Sequence, residues 1–169
     1  MTVALDNGAF GAWLAEKEWD PEPWLELLTV ACQHCSPKWA VVPDKVTDRE
    51  ATLERWEQWK GAVKDRGIPA AFAVQDGMAV EDVPGDADIV FVGGTTEWKW
   101  RSLRMWTAAF DRVHVARVNT ERLLWMAHDA GAESCDGTGW FRGDQKQLSG
   151  LRRYLYESVA GRSQLELDL

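Results

Sequence analysis

Three aspartates, Asp6, Asp44 and Asp136, each follow a short apolar run directly or within a residue or two. A lone aspartate there is ordinarily a helix cap or a turn residue. Three on one rim read differently, because carboxylates sharing a cleft can divide the work of nucleophile, general acid/base and recognition group. One carboxylate attacking a sugar carbon while a second manages the proton is the chemistry of glycosyl transfer. A fourth feature belongs with them, the pair Gly93-Gly94 in "FVGGTTEWKW". Glycines at a strand end either satisfy a turn that needs positive φ or let a ligand atom reach backbone N–H groups with no Cβ in the way. The run has neither Walker-loop nor G-x-G-x-x-G spacing, so it points to a small polar ligand rather than a phosphate.

Positioning these residues takes a repeated strand–helix arrangement, and the hydrophobic pattern supplies one. Short apolar runs at Val3–Asp6, Trp39–Pro43, Ala70–Gln75, Ile89–Val92, Val113–Ala116 and Glu133–Cys135 predict strands. Helical periodicity predicts helices over Pro23–Cys35, Asp48–Arg66, Trp98–Phe110, Thr120–Ala130 and Asp144–Ala160, with caps at Thr47 or Asp48 and at Asn119, and a C-terminal glycine at Gly131. "DGMAVEDVPGDAD" is too short for a full helix and predicts a turn. Alternating βα units imply a parallel sheet whose ligand-binding rim lies at the C-terminal strand ends. Polar and small residues follow all six predicted strands there, which places one site on six loops.

The chain has 169 residues and an apolar fraction of 46%, enough for one domain with one core. Residues 1–160 are expected to form that domain and 161–169 a frayed tail. Nothing approaches the roughly 18 apolar residues of a membrane span, and "MTVALDNGAF" has no signal-peptide character. Three cysteines make a poor disulfide framework and fit a reduced, cytoplasmic setting. Cys32, His34 and Cys35 have no second cluster to complete four zinc ligands, so no metal is expected; His114 and His128 are expected in packing or surface roles. The net charge is −8, but residues 1–97 carry 8 Lys+Arg against 18 Asp+Glu, and residues 98–169 carry 11 against 9. That asymmetry either reflects chance clustering on a solvated surface or makes Lys99, Arg101, Arg104, Arg117, Arg122, Arg142, Lys146, Arg152 and Arg153 a phosphate-facing side. Of eleven tryptophans most should pack in the core, and some could stack on bases.

Read in order, "LDNGAF", "VVPD", "FAVQDG", "FVGGTTEW" and "GAESCDGT" resemble the tRNA-guanine transglycosylases, most closely their bacteriophage-encoded relatives that insert 7-deazaguanines into DNA. The resemblance runs from Val3 to about Leu155. It implies a (β/α) barrel of the TIM type, no cofactor, and the host cell's cytoplasm as location if the chain is phage-encoded. It implies that Asp136 attacks C1′ of the target deoxyguanosine and that Asp6 is the general acid/base. Asp44 would read the N1–H and 2-amino edge of the purine, Gln75 and the Gly93-Gly94 loop its O6 side, and Phe10 would stack on it, with Val115 over the opposite face. The target nucleotide must leave its stack to be reached. Phosphate contacts would come from Lys99, Arg101, Arg117 and Arg142.

The chain departs from the family pattern in four ways. The family's Cys/His zinc subdomain is absent after Asp136, which favours DNA over tRNA. Six strands stand where a full barrel of about 250 residues has eight, so the barrel is expected to be reduced and open, to be completed by another chain or a second copy, or to have lost upstream sequence. Asn7 and Ala9 replace a serine and a glycine, which is expected to loosen the Asp6 loop; Glu133 stands where aspartate is common. Besides a DNA-directed enzyme exchanging guanine for a preQ0-like base, the sequence is compatible with a tRNA-directed one and with a catalytically silent subunit that binds a partner or nucleic acid. An unrelated aldolase-type barrel fits less well, since Lys45 alone stands near a strand end.

Overall fold

A computed structural model describes residues 2–160; the predicted tail at 161–169 lies outside the described residues. The six predicted strands form as β1 (Thr2–Leu5), β2 (Ser36–Val41), β3 (Ala70–Val74), β4 (Ile89–Val92), β5 (Val113–Val115) and β6 (Ser134–Cys135). They make one sheet in sequence order, every neighbouring pair parallel. The sheet curls into a half-barrel flanked by helices. Strictly sequential order means that each crossover returns the chain beside the strand it left, so every strand ends on the same rim.

The helices are α1 (Ala9–Leu14), α2 (Pro21–His34), α3 (Arg49–Lys64), α4 (Thr96–Ala109), α5 (Glu121–Asp129) and α6 (Gln145–Ala160). Asp20, Asp48 and Thr120 cap α2, α3 and α5 by accepting from Glu22, Ala51 and Leu123 N–H groups. The α5 cap is therefore Thr120, not Asn119, whose side-chain oxygen instead accepts from Gly139 N at 2.8 Å. Gly131 ends α5 at φ +85°, as its position predicts. The β3–β4 connection carries only a short 3₁₀ turn, Val80–Asp82. The six-residue α1 is not signalled by periodicity, because much of its apolar surface faces outward: Trp13 and Leu14 are exposed.

Strand alternation sends side chains to two faces. Leu5, Ala40, Val42, Phe72, Val74, Val90, Val92, Val113 and Val115 point outward, into a core with Leu28, Trp56, Val63, Leu103, Trp106 and Leu124 of the helices. Trp56 packs edge-on against Phe72 at 5.4 Å. The concave face carries Trp39, Val41, Ala71, Ala73, Ile89 and Phe91. The two alanines of β3 leave the inside of the curve room for the Trp39 and Phe91 rings, which meet at 6.1 Å. Beside these rings β1 and β6 are the sheet's two edges. A cavity of about 470 Å³ runs between them, bordered by Ala4 and Asp6 on one side and by Ser134, Cys135 and Asp136 on the other.

No helix among the described residues is long and apolar enough to cross a membrane.

Candidate active site at the strand ends

A second cavity, of about 310 Å³, opens at the C-terminal rim. It is lined by Asp6, Asn7, Phe10, Asp44, Gln75, Gly93, Gly94, Arg117, Asp136 and Arg142 among others, so all six strand ends reach it through predicted residues, β5 through Arg117 with Ala116 beside it. Asp6, Asp136, Phe91 and Thr138 border both cavities, which makes the two carboxylates the boundary between rim and concave interior.

One corner of the rim cavity is a closed hydrogen-bond network. Asp44 is buried, and each carboxylate oxygen is held by an amide: Asn7 Nδ2 donates to Oδ1 and Gln75 Nε2 to Oδ2, both at 2.8 Å. Gln75 is buried too, and its Oε1 accepts from Thr47 N at 3.0 Å, which fixes which way its amide faces. Burial pushes Asp44 up to about 6; the Asn7 hydrogen bond opposes that and the negative charge of Asp6 adds to it. Asn7 does more than hold Asp44. Its Nδ2 also donates to Val42 O at 3.1 Å, its Oδ1 accepts from Ala9 N at 2.7 Å, and its carbonyl accepts from Trp19 Nε1 at 2.7 Å. The expectation that asparagine in this place loosens the Asp6 loop is overturned, since Asn7 staples that loop to β2 and to the start of α1.

The other corner belongs to Asp136. The carboxylate can only accept, so the buried His114 donates from Nε2 to Oδ1 at 3.1 Å, while its Nδ1 pairs with Ser134 Oγ at 2.9 Å. Phe91 stacks on the imidazole at 5.0 Å and Trp39 meets it edge-on at 4.7 Å, so the ring cannot turn away. His114 thus joins packing to a role that sequence reading missed. The signal was its alternation: His114 shares the concave face with Ser134 and Asp136 one strand on. Arg117 N also donates to Asp136 Oδ1 at 3.1 Å. Burial raises the Asp136 pKa, but the hydrogen bond and charge of His114, the Arg117 N–H and the charge of Lys99 outweigh it and hold the group below the ordinary carboxylate range. Asp6 goes the other way. It keeps open surface at the rim, yet the protein mass around it raises its pKa; the Asn7 N–H opposes this and the charge of Asp136 adds to it.

The glycine pair has two explanations rather than one. Gly94 has φ +65°, and a Cβ there would lie 2.5 Å from Asp76 Oδ2 and 2.7 Å from the Trp98 ring, so the turn alone demands glycine. Gly93 keeps a close approach: a Cβ would come within 3.3 Å of both Gln75 Nε2 and Val74 O, and they would have to give way slightly. Asp76 accepts from Thr95 N at 2.7 Å and fixes the loop at the start of α4.

Phe10 borders the cavity, with the Arg117 guanidinium 4.0 Å from its ring centroid and Trp13 at 5.7 Å on α1. Val115 does not cover an opposite face. Its side chain is wholly buried in the outer core, one residue out of phase with the concave face. Of the four predicted phosphate contacts, Arg117 and Arg142 line the cavity. Lys99 does not face solvent at all: it is buried in α4, donates to Ala116 O, and burial pulls it down to about 8, with the Arg117 charge pulling the same way and Asp136 opposing. Arg101 lies on the outer surface of α4, paired with Glu97. No protein-family model matches the chain, and no curated protein matches its sequence.

Proposed function

We propose that the chain is a guanine transglycosylase acting on DNA, built on a reduced TIM-type barrel. The observation that carries this reading is the split between two carboxylates on one cavity: Asp6 is pushed up and Asp136 is held down, beside an aromatic face and a locked acceptor in Asp44. Groups whose surroundings drive their pKa values apart take opposite roles in proton and group transfer.

In the proposed reaction an Asp136 oxygen attacks C1′ of a deoxyguanosine taken out of its stack, and the C1′–N9 bond breaks. Asp6 gives its proton to the departing guanine, whose ring takes the bonding electron pair. A 7-deazaguanine then occupies the same slot and gives its N9 proton to the Asp6 carboxylate. N9 attacks C1′, and the Asp136–C1′ bond breaks. Two inversions at one carbon retain the β configuration. His114 keeps Asp136 ionised and aimed, and Asp44 accepts from the N1–H and 2-amino groups of either base. Phe10 supplies the stacking face, and Arg117 and Arg142 are the cations beside the target strand. No cofactor enters this scheme, and it fits a cytoplasmic enzyme, in a host cell if the chain is phage-encoded.

A second reading rests on the edges of the sheet. The open cavity between β1 and β6 would suit a partner subunit or second copy that completes the barrel, and a silent subunit would need that site more than an enzyme would. One experiment separates these. Purified protein is incubated with preQ0 and either DNA or tRNA, and digested nucleosides are analysed by mass spectrometry beside an Asp136→Ala control. Deazaguanine in DNA that disappears in the variant is the expected result. Incorporation into tRNA alone keeps the chemistry and changes the substrate. No incorporation into either, or incorporation undiminished in the variant, overturns the enzyme with Asp136 as nucleophile.

A further inference from the structure

Phe10 and Arg117 both line the rim cavity, and the Phe10 ring is covered there by a side chain of the protein itself. The Arg117 guanidinium lies 4.0 Å from the ring centroid and donates to Gly94 O. The guanidinium is closer to the ring than the roughly 4.5–7 Å at which aromatic centroids pair. A purine on this face of Phe10 and Arg117 in its present position therefore exclude each other. We propose that Arg117 is the gatekeeper of the aromatic slot: it competes with the base for Phe10 and, once displaced, turns to a phosphate of the target strand. This inference rests on the base-site reading above.

Three observations support a side chain poised to leave. Its root is fixed, because Arg117 N–H is bonded to Asp136, so a change of rotamer moves the guanidinium without moving the backbone beside the nucleophile. Its charge is unpaired in the strict sense, since Arg117 makes no ion pair with any carboxylate among the described residues, although Asp136, Asp44 and Asp76 all act on it from a distance. Among the described residues its only side-chain hydrogen-bond acceptor is a neutral carbonyl. Arginine binds most strongly through bidentate pairs with carboxylates, and this contact is a bond to a neutral carbonyl instead.

Chemical likeness explains why the two compete. The N1–C2(–NH₂)–N3 edge of guanine is a planar guanidine, and Arg117 brings the same planar set of nitrogens to a slot walled by Phe10 and acidic groups. A base that stacks well and reaches Asp44 can displace it, and a base lacking the 2-amino edge has less with which to do so. The displaced cation then joins Arg142 on the rim, the one other predicted phosphate contact that the fold brings to this cavity. A competitor of this kind lowers the apparent affinity of free base by the fraction of time the slot is closed.

The test compares wild type, Arg117→Ala and Arg117→Lys by calorimetry, with 7-deazaguanine as one probe and a single-stranded, dG-containing oligonucleotide at two salt concentrations as the other. Thermal unfolding confirms that each variant is folded. Arg117→Ala should bind the free base roughly three- to tenfold more tightly, the range that a lost cation–π competitor allows. The same variant should bind the oligonucleotide more weakly, with a salt slope smaller by about 0.7. Lysine keeps the charge without the flat stack, so Arg117→Lys should gain base affinity and keep the salt slope. A general structural defect would weaken both ligands together. Base affinity unchanged or lowered in Arg117→Ala overturns the gate. If Asp44→Asn still weakens base binding relative to wild type, the base site survives that result. Failure of wild type and Arg117→Ala alike to bind the base overturns both the base site and the gate built on it.

Discussion

The two corners of the rim cavity are built on opposite plans. At Asp44 every side-chain atom that faces the network has a partner inside the protein, with Asn7, Gln75 and Thr47 closing it on three sides. At Asp6 and Asp136 the carboxylates look into two cavities, and the Asp136 side chain retains 48% of its surface. The closed corner suits recognition, where a rigid acceptor rejects ligands that leave it unpaired. The open corner suits the proposed chemistry, in which a nucleophile and a proton carrier must reach a sugar that arrives from outside. On the proposed reading, recognition on the well-packed side of the half-barrel and reactivity by its open edge let the sheet lack closure without losing precision at the base.

The sharpest way to break that division is at the open corner. Asp6→Asn removes the proton carrier while keeping the acceptor for Asn7 N–H. Exchange should fall by about 10²- to 10⁴-fold, the span of general acid–base catalysis, while 7-deazaguanine binding stays within about threefold. Single-turnover assays beside calorimetry measure both. An equal loss in the two would show that Asp6 belongs to the recognition corner.

Asp44→Asn tests the closed corner and should do the reverse. An asparagine must present its NH₂ to one of two amides that already donate there, and it loses the acceptor pair for the purine edge. Base affinity should fall by roughly 10- to 100-fold. The same corner predicts a pH dependence. Asp44 titrates at about 6, so the acceptor is present above that pH and is protonated away below it. Base affinity should therefore drop as pH falls from 7 to 5, and that drop should vanish in the asparagine variant. The stability sign is opposite. A carboxyl raised from 3.8 to about 6 favours the folded state below 3.8 and gives up that advantage as pH rises to 6, on the order of 3 kcal/mol, in proportion to the shift.

His114 lies behind the open corner and acts on it through Asp136. His114→Asn keeps a donor but shortens the reach to the carboxylate, and should lower kcat by about tenfold with base KM nearly unchanged. Because His114 helps hold Asp136 below the ordinary carboxylate range, the acidic limb of the kcat profile should also move to higher pH. A variant that loses stability but keeps its profile would reduce His114 to a packing residue.

What could be read from the residues follows from how local each signal is. The six strands carry apolar runs, the larger helices carry a 3.6-residue period, and both were legible because burial imposes those patterns. The glycine pair and the three aspartates were legible as rim residues, since strand ends in a parallel sheet share one side. Facing was harder. Val115 falls on the other face by one residue, the smallest error that period two allows, and its neighbour His114, expected only in a packing or surface role, faces Asp136 instead. Lys99 and Arg101 were read from charge alone, yet α4 buries one in its core-facing stripe and turns the other outward to Glu97. The short α1 was hidden because six residues hold less than two turns of any period.

Asn7 was read as a weakening because no local rule shows that its amide reaches across 37 residues to Asp44 and 35 to Val42. That misreading yields the smallest prediction and the one that joins the two corners. Asn7→Ser, the residue the resemblance leads one to expect, can still accept from Ala9 N through its hydroxyl, but it is too short to donate to Val42 O and Asp44 Oδ1 together. One buried acceptor at Asp44 then loses a partner, which costs about 1–3 kcal/mol in denaturant unfolding. The Asn7 hydrogen bond lowers the Asp44 pKa, so its removal should move the pH midpoint of base binding upward. Asp6 is bonded through its oxygen to Asn7 N–H, a backbone donor that serine retains. The chemical step should therefore respond less than the binding step. If kcat falls as far as base affinity does, the two corners are one mechanical unit and the division between a closed and an open side fails at the residue that links them.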